Sequence, residues 1–268
     1  MAASRAPVRL LAVVTGASTG IGYELAKLCA QNGFDLVVAA DEPEIHDAAD
    51  TFRALGAHVE AVQADLATLD GVDTLYATIQ AQGRPVDALF ANAGRGLGKG
   101  FLDQNFIKAK RVIDTNVTGT VYLIHLVGRG MRALNSGRIL ITGSIAGFIP
   151  GSYQAVYNAS KAFLDNFAYA LRNELEGTGV TVSCLMPGPT DTDFFRRAEL
   201  MDTEMGTAEK DDPAKVARDG FDALMKGEAD VVSGWKNKLQ TTLANIMPAE
   251  MLADQHRGMA APGTAHKH

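Results

Sequence analysis

Cysteine is nearly absent. The 268-residue chain carries two, Cys29 and Cys184, far apart and in no Cys-x-x-Cys or zinc-ligand spacing, which argues against a disulfide framework or a structural zinc site. Both read as buried, reduced thiols. Histidine is sparse too: His46, His58, His125, His256, His266 and His268 form no His-x-x-x-His pair, so no metal site is expected. No apolar run approaches the roughly 18 residues of a membrane span. Leu10 to Val14 is too short for the core of a signal peptide before Gly16 interrupts it. The expectation is a cytoplasmic protein with no membrane partner. An excess of positive charge is also missing: 25 Lys and Arg face 31 Asp and Glu, a net charge of -6. Nothing then draws the whole chain to a phosphate backbone, and nucleic acid is not an expected partner.

What is present is a composition of 47% hydrophobic and 21% charged residues, ordinary for a soluble globular protein and unlike disordered, collagenous or coiled-coil chains. Short aliphatic runs alternate with helical patterns, the mark of repeated βαβ units. The spacing predicts strands at Leu10 to Val14, Leu36 to Ala39, Val59 to Val62, Ala88 to Ala91, Ile139 to Thr142, Val180 to Leu185 and Val231 to Val232. The expected fold is therefore α/β, a doubly wound parallel sheet of about seven strands with helices on both faces, in a single domain spanning 1–268. Pro43 is expected to open a helix that ends at Gly56, and Gly33, Gly83 and Gly177 to mark other helix ends. Residues 189–212 lack a clear period and read as an insertion or lid. Residues 236–268 read as a C-terminal tail.

Directly after the first strand comes Thr15-Gly16-Ala17-Ser18-Thr19-Gly20-Ile21-Gly22, followed by a helix with Ile21, Leu25 and Leu28 on one apolar face. Glycine suits a turn that needs positive φ, close approach to a pyrophosphate and tight helix–strand packing. The helix start then offers free N–H groups and a positive dipole end to an anion. After the second strand, Asp41-Glu42-Pro43-Glu44 supplies acids and no Arg or Lys. A carboxylate at Asp41 accepts hydrogen bonds from an adenosine ribose and repels a 2′-phosphate, which favours NAD over NADP without excluding NADP. Asp41 also reads as an N-cap for the next helix. Asp65, after the third strand, has the same double reading, adenine contact or local cap.

Tyr157 and Lys161 lie four apart in a helical stretch from Tyr153 to Glu176, so their Cβ atoms sit roughly 5 to 6 Å apart on one face. That face continues through Leu164, Ala168, Leu171 and Leu175, an apolar stripe into which a lysine fits only if partners or a shifted pKa compensate its lost water. Cofactor ribose hydroxyls would serve as such partners. An ammonium there favours the phenolate and is expected to move the Tyr157 pKa down, making it a proton donor and acceptor. Ser144 follows the strand Ile139 to Thr142, at the carboxyl end where parallel sheets present ligands, and its hydroxyl suits a substrate oxygen.

These motifs together resemble the short-chain dehydrogenase/reductase family, in its branch of roughly 250-residue enzymes with a Rossmann-type sheet. The resemblance covers about residues 8 to 235 by the spread of the motifs. Thr15-Gly16-x-x-x-Gly20-x-Gly22 matches the family's cofactor loop, and Ala91-Asn92-Ala93-Gly94 its fourth-strand motif, with alanine in place of a frequent asparagine. Asn116, Ser144, Tyr157 and Lys161 match its catalytic tetrad in order and spacing. Pro187-Gly188 and Thr192 match its nicotinamide-side loop, although they equally suit a chain reversal and a helix cap. The resemblance implies cofactor contacts from Gly16, Ser18, Thr19, Gly20, Ile21, Gly22, Asp41, Asp65, Leu66, Asn92, Ala93, Gly94, Tyr157, Lys161, Pro187, Gly188, Thr190 and Thr192. It implies that Asn116 bends a helix and holds a water linked to Lys161, and that Asn92 braces the central strands. Enoyl reductases of the superfamily separate Tyr and Lys by six residues where three intervene here, which disfavours that branch.

The implied activity is NAD(P)-dependent hydride transfer between nicotinamide and a secondary alcohol or ketone, with Tyr157 exchanging the hydroxyl proton, Ser144 orienting the oxygen and Lys161 binding the nicotinamide ribose. The alternative is a nucleotide-binding regulatory or scaffold protein of the same fold with little turnover. Phe148, Tyr153 and Met186, with Phe194, Phe195, Met201 and Met205 of the lid, suggest an apolar substrate pocket; ordinary lid packing explains the latter as well. Arg95 to Gly100 reads as a mobile rim loop, and Arg196 and Arg197 as solvated. Phe163, Phe167 and Ala170 form a second apolar face of the Tyr157 helix, and Val117 to Met131 is apolar around much of its circumference. With the resemblance, this implies a homodimer or homotetramer. Trp235 is expected to pack in the core.

Overall fold

The β-branched and aliphatic runs form seven strands: β1 (Leu10–Thr15), β2 (Phe34–Ala40), β3 (Val59–Gln63), β4 (Ala88–Ala91), β5 (Gly137–Thr142), β6 (Val180–Met186) and β7 (Asp230–Val232). The structure is a computed structural model that describes residues 9–234, 237, 244 and 247–265. All strand pairs are parallel, in the order β3-β2-β1-β4-β5-β6-β7. The order reverses between β1 and β4, and a crevice opens outside the carboxyl ends of the strands at such a reversal. Trp235 and residues 266–268 lie outside the described residues, so the packing expected of Trp235 has no counterpart here.

Helices cover both faces of this Rossmann-type sheet. One layer holds α1 (Gly20–Gln31), α2 (Ile45–Ala54) and α9 (Pro213–Lys226); the other holds α3 (Leu69–Ala81), α5 (Thr120–Ala133) and α6 (Ala155–Glu174). The alternation along β1 sets the two cores: Leu11 and Val13 pack toward α3, α5 and α6, Ala12 and Val14 toward α1, α2 and α9. Strands buried on both faces read as continuous apolar runs, which is why their positions are legible in the sequence. β2 starts earlier than its apolar run because Asp35 is held by Arg9 at 3.0 Å and Arg84 at 2.7 Å, so an acid is tolerated at the strand's buried end.

Three local expectations need correction. Pro43 does not open a helix: Ile45 is the first residue of α2, Glu44 precedes it, and Pro43 lies in the turn whose carbonyl accepts the His46 N–H. Nor is Asp41 the cap of that helix, since its carboxylate is paired with Arg95. α6 begins at Ala155, two residues after Tyr153, which sits at φ +65° outside the helix. Gly33, Gly56, Gly83 and Gly177 do follow helices, with φ between +62° and +87°.

α4 (Phe106–Ile113) runs into α5 through a π-helical turn over Asp114–Gly119. A side chain at Gly119 would collide with the Leu66 carbonyl, so the widened turn needs glycine to lie against the loop after β3. The segment 189–212 holds two short helices, α7 (Phe194–Arg197) and α8 (Glu204–Thr207). Its ends close on each other: the Asp211 N–H donates to the Pro189 carbonyl at 2.8 Å and the Asp191 N–H to the Asp211 carbonyl at 2.9 Å. α10 (Ala249–Ala260) folds back onto the same end of the sheet.

Candidate active site

A cavity of about 360 Å³ opens at the carboxyl ends of the strands. Of the catalytic and cofactor-contact residues expected from the sequence, all line it except Asn116. Its floor is the turn between β1 and α1, where Gly16 and Gly20 take φ +66° and +60°. A side chain at Gly22 would enter the Gly16 carbonyl oxygen, leaving no room for anything larger. The first turn of α1 receives no side-chain cap from Thr19, so its N–H groups face the cavity unclaimed by any side chain. Uncapped N–H groups at a helix start, above a cradle that a Cβ would fill, suit a pyrophosphate. Asn92 holds the floor together: Thr15 Oγ1 accepts its N–H at 3.0 Å, its Nδ2 donates to the Thr15 carbonyl at 3.1 Å, and its Oδ1 accepts from Thr142 at 3.1 Å, which ties β1, β4 and β5.

At one end of the cavity the acids Asp41, Glu42 and Asp65 each meet an arginine. Asp41 is paired with Arg95, Asp65 with Arg111 at 2.8 Å and Glu42 with Arg197 at 2.8 Å, and Arg111 also comes within 3.8 Å of Asp41. The corner that reads as purely acidic in the sequence is thus neutralised by cations from three distant segments. Asp65 also makes a local turn, its Oδ1 accepting the Ala67 N–H at 3.1 Å, while Thr68 caps α3. Arg197 is therefore not simply solvated, whereas Arg196 is exposed and pairs with Asp193.

Tyr157, Lys161 and Ser144 converge on the same cavity. Lys161 is 4% exposed, and its Nζ donates to the Thr142 carbonyl at 2.7 Å. Burial brings its pKa down to about 8, against the opposing pull of the Asp165 carboxylate. Burial pushes the Tyr157 phenol up to about 12, with a Ser144 hydrogen bond acting the other way. The downward shift expected from a neighbouring ammonium is overturned: the Tyr157 ring is packed against Phe194 at 5.1 Å between centroids, and the Lys161 Nζ stands 5.9 Å from its centre. Ser144 also accepts the Ala146 N–H at 3.1 Å and lies 3.4 Å from the Pro187 carbonyl.

Asn116 stands behind this cluster, fully buried in the π-helical turn. Its Oδ1 accepts the Arg95 N–H at 2.7 Å, and its Nδ2 donates to the Arg95 carbonyl and to Ser160 Oγ, both at 2.9 Å. Its amide is committed to fixing the loop after β4 against α6. That loop is not the loose rim expected. Side chains at Gly96 and Gly98 would collide with Phe194 and Leu200, and the Gly98 N–H donates to the Ala198 carbonyl at 2.7 Å, so these glycines permit close packing on segment 189–212.

Of the expected apolar lining, Phe194, Phe195 and Met205 reach the cavity. Met186 is buried in the sheet core, Phe148 packs on that core and Met201 is 52% exposed. The sequence reading missed Arg95, Ile149, Gln154, Glu204, His256 and Met259, all of which line the cavity. Arg95 carried a signal in its position one residue after the Asn92–Gly94 motif; the residues of α10 carried none.

The sequence profile of the short chain dehydrogenase family matches residues 10–202. An uncharacterized oxidoreductase of Myxococcus xanthus is 32% identical over 243 residues, covering 88% of this chain and 92% of the relative. A short chain dehydrogenase/reductase from Burkholderia phymatum, solved in complex with NAD, matches with a TM-score of 0.80 and 26% identity over 88% of this chain and 92% of its own. A short-chain dehydrogenase from Sphingobium yanoikuyae, solved in complex with NADPH, matches with a TM-score of 0.78 and 26% identity over 90% and 97%. No helix among the described residues is long and apolar enough to cross a membrane.

Proposed function

The chain belongs to the short-chain dehydrogenase family of oxidoreductases, and from that premise we propose that it transfers a hydride between a nicotinamide dinucleotide and a secondary alcohol or ketone, with Tyr157 as proton donor and acceptor. The observation that carries this reading is the convergence of Ser144, Tyr157 and the buried Lys161 on the cavity that contains the glycine turn.

The residues present fit the dinucleotide. Gly16, Ser18, Thr19, Gly20, Ile21 and Gly22 would hold its pyrophosphate; Asp41, Asp65 and Leu66 its adenosine; Asn92, Ala93, Gly94 and Lys161 the nicotinamide ribose; and Pro187, Gly188, Thr190 and Thr192 the ring side. When bound, it supplies or accepts the hydride, which is the cofactor's own chemistry. The chain supplies the proton and the alignment. In reduction, the Ser144 hydroxyl holds the carbonyl oxygen and the Tyr157 phenol gives that oxygen its proton as the C=O bond becomes a C–O single bond. In oxidation, the Tyr157 phenolate takes the proton back from the alcohol oxygen as the C–O single bond becomes C=O. A phenol held up near 12 stays protonated at neutral pH, ready to act as the acid. The Ser144 hydrogen bond opposes that rise, and the Lys161 ammonium favours the phenolate left once the proton has gone. Phe194 covers the ring and limits water access. Asn116 acts through the backbone of Arg95 as a positioning residue.

NAD(H) is the proposed cofactor, because Asp41 accepts from a ribose and repels a 2′-phosphate. The second reading, NADP(H), is supported by Arg95 and Arg111 beside that carboxylate. The test of activity is the absorbance of the reduced nicotinamide, lost across a panel of ketones and gained from the oxidised cofactor across a panel of alcohols. Wild-type protein is expected to turn over members of both panels, and Tyr157→Phe to bind cofactor without turnover. Tight binding with no turnover by wild type would favour a regulatory or scaffold role.

A further inference from the structure

The C-terminal helix α10 brings a histidine to the substrate side of the cavity. Two bonds clip α10 to the turn before α6: Ser152 Oγ donates to the Ala253 carbonyl at 3.0 Å, and His256 Nδ1 lies 2.8 Å from the Ser152 carbonyl. The segment after α10 is held as well, since Thr264 Oγ1 accepts the Glu204 N–H at 2.9 Å and the Ala265 N–H donates to the Asp202 carbonyl. α8 and α10 thus form one wall, from which Met205, Ala208, His256 and Met259 line the cavity that Tyr157 and Ser144 also line.

A carbonyl oxygen only accepts, so Nδ1 of His256 carries the hydrogen. Burial disfavours the charged ring and lowers its pKa, leaving the neutral form with hydrogen on Nδ1. Nε2 is then a lone-pair acceptor. The ring is 3% exposed and no bond to Nε2 occurs among the described residues. His256 lines the cavity beside Glu204, Met205 and Met259, so an acceptor there is open to a ligand that donates to it.

We propose that His256 Nε2 forms a substrate subsite, accepting a hydrogen bond from a hydroxyl or N–H group carried at the end of an apolar substrate remote from its reacting carbonyl. The substrate class is a hydroxyketone, or the corresponding diol in oxidation, with an apolar body packed on Met205, Met259 and Phe194. The proposal rests on the oxidoreductase reading for the role of the carbonyl, but the subsite is a binding claim and is tested as one.

The probes are 4-(4-hydroxyphenyl)butan-2-one and 4-phenylbutan-2-one, which differ in one distal hydroxyl. Calorimetry measures their binding to the full chain saturated with oxidised cofactor, a complex that cannot reduce them. Wild type is expected to bind the hydroxylated ketone roughly five- to tenfold more tightly, the range one net hydrogen bond supplies. In His256→Asn the side-chain amide N–H keeps a donor for Ser152 but the ring acceptor is gone, and the ratio is expected to fall to about one; His256→Leu removes both groups and gives the same ratio. Equal binding by wild type, no binding of either ketone, or a preference that survives in His256→Asn overturns the subsite. Turnover with reduced cofactor separates the two claims. Reduction of both ketones without preference sinks the subsite and leaves the oxidoreductase reading, whereas a His256-dependent binding preference without reduction does the reverse.

Discussion

Asp41 follows β2 with a carboxylate, and Arg95, Arg111 and Arg197 gather around the acids of that corner. Cofactor choice depends on which charge faces the ribose 2′ position once the Asp41–Arg95 pair is disturbed. Asp41→Asn leaves Arg95 without its partner, and the ratio of NADPH to NADH affinity is expected to rise at least about tenfold, because a repelling charge is removed and an attracting one released. Arg95→Ala is expected to move that ratio the other way, and cofactor fluorescence titration reads both. The acid was legible in the sequence because it lies immediately after a strand. The arginines were not, since Arg95 and Asp41 are 54 positions apart and Arg197 and Glu42 155 apart. Tyr157, Lys161 and Ser144 were legible as a group, but the direction of the Tyr157 shift was not, because it depends on burial beneath Phe194 and on a lysine committed to Thr142.

The turn between β1 and α1 and the loop after β5 each depend on glycine at a point of contact. Gly22→Ala drives a methyl group into the Gly16 carbonyl, and the expected outcome is a loss of about 1–3 kcal/mol in unfolding stability together with weakened dinucleotide binding. The loop after β5 wraps Asp165 of α6. Side chains at Gly143 or Gly147 would collide with its carboxylate; Oδ1 accepts the Ser144 N–H at 3.3 Å, and Oδ2 has no hydrogen-bond partner among the described residues. Burial raises the Asp165 pKa from 3.8 to about 6. A carboxyl raised in the folded state contributes stability that is fully present below 3.8 and is lost as pH rises through about 6. Asp165→Asn does not titrate, so its unfolding free energy is expected to gain on wild type between pH 4 and pH 6 and then hold level, by at most about 3 kcal/mol. A difference that stays constant across that range would show the carboxyl to be already ionised at its lower end. At this scale the buried strands were readable from their runs. The π-helical turn was not, because it is set by contact between Gly119 and Leu66 from another element.

The whole molecule presents an apolar strip on the outer face of α6, where Phe163 and Phe167 stack at 6.0 Å and Phe163 is 45% exposed. With Ala162 and Ala170 it forms a shallow groove, which supports the proposal of a homodimer or homotetramer joined there. Light scattering at micromolar concentration is expected to give at least twice 28.4 kDa for wild type and about 28.4 kDa for Phe163→Glu; a wild-type protein that scatters as a single chain removes the proposal. The seven-stranded sheet could be read from the chain because each strand is a local feature. The far wall of the cavity could not, since α10 reaches it through contacts with the turn at Ser152 and with segment 189–212. The central claim is that this cavity aligns a nicotinamide with a carbonyl whose proton comes from Tyr157. Reduced cofactor carrying deuterium at the transferable position of its nicotinamide, incubated with a ketone the enzyme turns over, tests it most directly. The account predicts one deuterium on the carbinol carbon of the product, formed roughly a thousandfold more slowly by Tyr157→Phe at unchanged cofactor affinity. A deuterium-free carbinol, or a Tyr157→Phe enzyme as fast as wild type, would contradict it.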